Sequence, residues 1–157
     1  MTDQLPETAT ITVPAASTRR RSASRTAPAE PDRARIVAAA RAERPPLEVA
    51  RLIVEAAEDK KASDIVLLEV AAITTIADYF VICSGGSERQ LEAIADGVVE
   101  TTRAEGIRPI GREGEAASHW VLVDFGSVIV HVFTPPERDY YELEKHWAEA
   151  KTILRVQ

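Results

Sequence analysis

The sequence predicts a single α/β domain in which one mixed sheet of five strands is flanked by helices. Three observations carry that reading. Two segments repeat apolar residues at helical spacing, and several short runs are rich in β-branched residues. The link between the first two of those runs, Ala71 to Ala77, is too short for a crossover helix, so they pair antiparallel. The order read along the chain is αββαβββα, with no internal repeats.

Residues 1 to 46 are rich in Ala, Thr, Ser, Pro and Arg and nearly lack large apolar residues. Such a segment cannot bury enough apolar surface to offset the entropy of ordering it, so it reads as a disordered tail. A short helix over residues 32 to 44 is the only element expected within it. The run Arg19-Arg20-Arg21-Ser22 reads as solvated, with contact to RNA as the sharper alternative.

The folded domain is read as residues 47 to 157. Leu47, Ala50, Val54 and Ala57, widened by Leu52 and Ile53, form the stripe of an amphipathic helix of about four turns. Asp64 to Val70 is the first strand and Tyr79 to Cys83 the second. After the turn Ser84-Gly85-Gly86, Ser87 and Gln90 have the spacing of a capping box. The helix that follows carries Leu91, Ile94, Ala95, Val98 and Val99 on one face and stops at Gly106. Ile107 to Arg112 is a third strand. His119 to Phe125 and Val128 to Phe133 are two further strands joined by a tight hairpin at Asp124-Phe125-Gly126-Ser127. Pro135-Pro136 ends the last strand, and Glu137 to about Ala150 is a terminal helix.

Charge is unevenly placed. The tail holds eight arginines and five acids; the remaining residues hold eleven basic and twenty acidic side chains. A domain carrying nine excess negative charges is poorly suited to general capture of a nucleic-acid backbone. It suits a basic protein partner. The lone cysteine, Cys83, supports neither a disulfide framework nor a thiolate metal site and reads as core. There is no apolar run of membrane-spanning length and no signal-peptide core, so the expected location is the cytoplasm.

The candidate chemistry is thin. The Ser84-Gly85-Gly86-Ser87 turn has the form of a phosphate cradle at a helix start. A nucleotidyltransferase would also need paired carboxylates for metal ions, and Asp124 stands alone on its strand. The turn therefore reads as a cap, with a metal-dependent nucleotidyltransferase as the alternative function. His131 lacks partners at ligand spacing; Ile129, His131 and Phe133 share one sheet face, while Val128, Val130 and Val132 share the other. That makes His131 a histidine on a half-buried face. No nucleophile-elbow pattern supports a Ser84, Ser87, His131 and Asp124 hydrolase set. The second half of the chain instead gathers Trp120, Arg138, Tyr140, Tyr141 and Trp147, residue types that dominate binding hot spots. Trp147 reads as core, while Trp120 is compatible with core or interface.

Several strings resemble the ribosomal silencing factors of the Iojap-like family. They are the segment from Ala77 to Gln90 (ADYFVICSGGSERQ), Ala93 to Asp96, Trp120 to Gly126, Val130 to Phe133, and the closing Arg138, Tyr141, Leu143, Glu144 and Trp147. Lys61 to Ile65 also fits. Ser127, Glu69 and the long basic tail depart from the family pattern. The resemblance spans roughly residues 47 to 150. It implies a nucleotidyltransferase-like fold without that activity, and no cofactor. It also implies binding to the large ribosomal subunit through its fourteenth ribosomal protein, steric blocking of subunit joining under nutrient limitation, and a homodimer in some members. The candidate contact residues are Asp78, Tyr79, Arg89, Gln90, Trp120, Asp124, His131, Phe133, Arg138 and Tyr141. Alanine at Trp120 or Arg138 is expected to weaken subunit binding without unfolding the domain; unfolding would mark Trp120 as core. A dimeric scaffold for another basic partner is the third reading.

Overall fold

The computed structural model describes residues 34–36 and 44–157, so the expected disordered tail lies almost wholly outside the described residues. Within the expected 32–44 helix, residues 34–36 are helical.

Helix α1 (Pro46–Asp59) opens with proline in its first turn, where a missing N–H costs nothing, and buries Val49, Ala50, Ile53, Val54, Ala56 and Ala57. Strands β1 (Ser63–Glu69) and β2 (Tyr79–Ser84) pair antiparallel, as the short connection requires. Helix α2 (Glu88–Ala104) is capped by the Ser87 side chain, which accepts from the Gln90 N–H at 3.1 Å. The return half of the box is altered. Gln90 Oε1 takes the Gly86 N–H at 2.7 Å, and Gln90 Nε2 donates to the Lys60 and Lys61 carbonyls at 3.3 and 2.9 Å. One side chain thus closes the β2–α2 turn and ties it to the end of α1. Ser87→Ala is expected to cost about 1 kcal/mol, read as a lower midpoint in urea denaturation with an unchanged slope.

Strand β3 (Gly111–Glu113) is three residues long and later than the expected Ile107 to Arg112. Strands β4 (Trp120–Asp124) and β5 (Val128–Phe133) form the expected hairpin. Its turn is fixed by Asp124 Oδ1, which accepts the Gly126 N–H at 2.7 Å, and by Gly126 at φ 88°, where a side chain would be strained.

Two expectations at the carboxyl end are corrected. The terminal helix is broken: α3 (Pro135–Tyr141) ends at Glu142, whose φ of 48° is left-handed, and α4 (Leu143–His146) follows. The chain then returns as a sixth strand, β6 (Lys151–Val156), antiparallel to β1. The sheet order is β3-β4-β5-β2-β1-β6, with β2 and β5 as its parallel pair.

Strand alternation separates two cores. Ile65, Leu67, Val81, Cys83, Val121, Val123, Val130 and Val132 pack against α1 and α2. On the other face lie Val66, Leu68, Phe80, Ile82, Trp120, Leu122, Ile129, His131 and Phe133, closed over by Leu143, Trp147 and the apolar residues of the β1–β2 connection. The second face carries the large rings, and the proposed site is built on it.

Candidate functional site

The ten candidate contact residues divide among three places. Asp78, Tyr79 and Asp124 lie at one end of the sheet, where the Asp78 and Tyr79 N–H groups both donate to the Ser127 carbonyl at 2.8 and 3.1 Å. Arg89 and Gln90 lie at the start of α2. Trp120, His131, Phe133, Arg138 and Tyr141 gather on the ring-bearing face under and within α3.

The two glycine amides of the turn are paired internally. The Gly85 N–H donates to the Phe133 carbonyl at 2.8 Å, the Gly86 N–H to Gln90 Oε1, and the Gln90 N–H to Ser87. Ser84 Oγ accepts from Arg138 at 2.8 Å. Asp124 sits four register positions along the strands from Ser84 and two strands across, so more than about 13 Å away at 3.3 Å per residue. Among the described residues, no three of His, Cys, Asp and Glu converge in the way a metal ion needs.

Trp120 answers the question its sequence left open. Its register partner is Phe133, and it is 3% exposed. Its ring lies 4.7 Å from Phe133 and 4.6 Å from Tyr141, centre to centre. Trp120 is therefore core, and the expectation that Trp120→Ala spares folding is reversed. Truncation is now expected to cost about 3–5 kcal/mol, visible as loss of the cooperative thermal transition or a large fall in its midpoint. Tyr141 is half-buried on this stack, and Tyr140, edge-on to it at 5.0 Å, is 77% exposed.

His131 is fully buried, not half-buried, because α4 and Trp147 close the face over its neighbours. Its Nδ1 accepts the Trp120 indole N–H at 3.3 Å. Burial pushes its pKa down to about 3, so the ring is neutral at physiological pH. Burial pushes the Cys83 thiol up to about 12, which leaves it an inert core filler.

Arg138 is likewise an interior residue, 6% exposed. Its guanidinium grips Glu144 through two hydrogen bonds of 3.0 and 2.9 Å. Its third nitrogen donates at 2.8 Å to both Ser84 Oγ and the Asp64 carbonyl. That carbonyl is available because Asp64, at φ 51°, lies where the β1–β2 register shifts. Arg138 thus joins α3, α4, β1 and β2. The expectation that Arg138→Ala leaves folding intact is revised accordingly. Tyr140, placed by the sequence among the hot-spot residue types but not among the ten candidate contacts, is the member of the tandem Tyr140-Tyr141 that α3 exposes, while Tyr141 is half-buried.

Fold and site together define an α/β domain that presents exposed tyrosine over a buried stack of rings and closes its glycine turn upon itself. The chain belongs to the ribosomal silencing factor family: the family model described as "Ribosomal silencing factor during starvation" matches residues 42–157. It is 45% identical to the ribosomal silencing factor of Halalkalibacterium halodurans, over 68% of this chain and 91% of that protein. It is 36% identical to a mouse protein named mitochondrial assembly of ribosomal large subunit protein 1, over 61% of this chain and 43% of that one. A crystal structure from Bacillus halodurans superposes with a TM-score of 0.61 at 42% identity, covering 69% of this chain and 98% of that chain. Family membership places the chain among proteins of ribosome silencing and translation regulation.

Proposed function

We propose that the domain of residues 47 to 157 docks on the large ribosomal subunit in the cytoplasm, on the face that meets the small subunit, and blocks joining by occupying it. The fourteenth large-subunit ribosomal protein is the proposed contact, and no chemical step is involved. The observation that carries this reading is family membership together with an exposed tyrosine set edge-on against a buried stack of rings. The acidic balance of the domain supports a basic protein partner. The name of the mouse relative points to the large subunit. A homodimer is compatible with this arrangement, and residues 1 to 46 stand outside the proposed docking unit.

Steric exclusion needs only a stable contact of ordinary size, about 800 Å² per partner. The test is sedimentation of purified subunits through a sucrose gradient. Added protein is expected to shift joined ribosomes to free subunits; an unchanged joined fraction at saturating protein contradicts the proposal. Within it, Tyr140→Ala is expected to leave the melting temperature within about 3 °C, the scale of an ordinary surface change in a domain of this size. The same change is expected to weaken subunit binding by about tenfold or more, the range of an aromatic contact residue, as measured by titration with labelled protein.

A further inference from the structure

We infer that His131 is a positioning residue for the docking face: its neutral Nδ1 accepts the Trp120 indole N–H and sets the ring on which Tyr141 rests. This inference rests on the docking proposal above.

The geometry begins with register. Trp120 pairs with Phe133 and Leu122 with His131, so Trp120 and His131 are diagonal neighbours on the same sheet face. An indole nitrogen only donates, so the 3.3 Å contact requires a lone pair on Nδ1 and places the imidazole proton on Nε2. That Nε2 is buried with no hydrogen-bond partner. Its surroundings are ring faces and aliphatic chains. Phe80 lies edge-on at 5.1 Å, Phe133 is stacked at 6.2 Å, and Ile82 and Leu122 are the register neighbours on either side. No acidic or basic group faces the ring from these strands, and desolvation alone accounts for its shifted titration.

A polar ring here leaves one buried N–H unsatisfied, which is a cost that phenylalanine would not carry. What imidazole supplies and phenylalanine does not is an acceptor for Trp120. The indole is otherwise enclosed by Phe133 and Tyr141, neither of which is within hydrogen-bond contact of its nitrogen. From Trp120 the constraint passes to Tyr141 at 4.6 Å and then to exposed Tyr140 at 5.0 Å. Without the hydrogen bond, Trp120 gains rotational freedom, and docking must then remove that freedom from the tyrosines above it.

Two variants separate positioning from packing. His131→Phe fills the space without an acceptor. His131→Asn places an amide oxygen near the Nδ1 position but leaves a void beside it. The order of thermal stability at pH 7.5 is expected to be His131→Phe equal to or above wild type, and His131→Asn below both. The order of large-subunit affinity differs. His131→Asn is expected to bind like wild type and His131→Phe about two- to tenfold more weakly, the range for losing one pre-ordered side chain. In parallel, the Trp120 indole N–H resonance, told from that of Trp147 with Trp147→Phe, is expected to stay in place and exchange slowly in His131→Asn. It is expected to shift and exchange faster in His131→Phe. Wild-type affinity in His131→Phe, or a displaced, fast-exchanging indole resonance in His131→Asn, overturns the proposal. If wild type itself does not bind the large subunit, the docking reading fails. The indole resonances still decide whether His131 fixes Trp120, and they do so through His131→Asn alone should His131→Phe not fold.

Discussion

Arg138→Ala is expected to destabilise the domain by about 3 kcal/mol, lowering the thermal midpoint by roughly 10 °C or more for a unit of this size. The magnitude follows from what is left behind. Glu144 loses both of its guanidinium bonds, and Ser84 Oγ and the Asp64 carbonyl lose a donor. The upper part of the range for broken ion pairs does not apply, because the Glu144 side chain keeps 30% of its exposure and water can partly replace the arginine. Arg138→Lys is expected to recover less than half of the loss, since an ammonium cannot grip a carboxylate with two parallel bonds. Calorimetry of the three proteins checks both statements. A midpoint for Arg138→Ala within 2 °C of wild type would show that α3 and α4 are held chiefly by the rings beneath them.

The second large effect is acid sensitivity. His131 binds its proton near pH 6.5 when unfolded but only near 3 when folded. Between those values the unfolded state holds more protons, so stability rises with pH and is lost on acidification. The slope in mid-window is about 1.4 kcal/mol per pH unit for this one group. Glu144 adds a lower window. The hydrogen bond from Arg138 holds its carboxyl below the usual 4.5, so its contribution is complete above that value and fades as pH falls further. In urea titrations at stepped pH, wild type is expected to weaken from pH 6.5 downward. His131→Phe is expected to stay level until about 4.5. Parallel profiles for the two proteins between pH 6.5 and 4.5 would contradict neutral burial of this histidine.

These two residues also show where the sequence was legible. The alternation in Val128 to Phe133 placed His131 with Ile129 and Phe133 on one face, and the structure keeps that assignment. What alternation cannot report is how thoroughly a face is covered. That depends on α4 and Trp147, which come from a segment that reads as continuous helix until Glu142 turns left-handed. Nothing in Tyr141-Glu142-Leu143 announces that break, since glycine and asparagine are the usual residues there. The sixth strand was hidden for a related reason. Lys151 to Val156 is an edge strand with charged and half-buried positions, so it lacks the apolar run that marked β1, β2 and β5.

Composition was less informative. Arginine and tryptophan are typical of interfaces, and that rule drew attention to Arg138 and Trp120 while leaving Trp120 open between core and interface. In the fold both are interior, and the exposed aromatic residue is Tyr140. The strings that resemble the family include much that holds the face in shape: Phe133 and His131 beside Trp120, and Arg138 of α3 tied to Glu144 of α4. The turn Ser84 to Ser87, the other conspicuous motif, is explained by the hydrogen bonds that join β2, α1, α2 and Arg138.

Co-sedimentation of the purified protein with isolated large and small subunits tests the docking claim most directly. The account predicts that wild type pellets with large subunits and not with small ones, and that Tyr140→Ala, folded and equally stable, is largely left in the supernatant. Equal recovery with both subunits, or no difference between Tyr140→Ala and wild type, would contradict it.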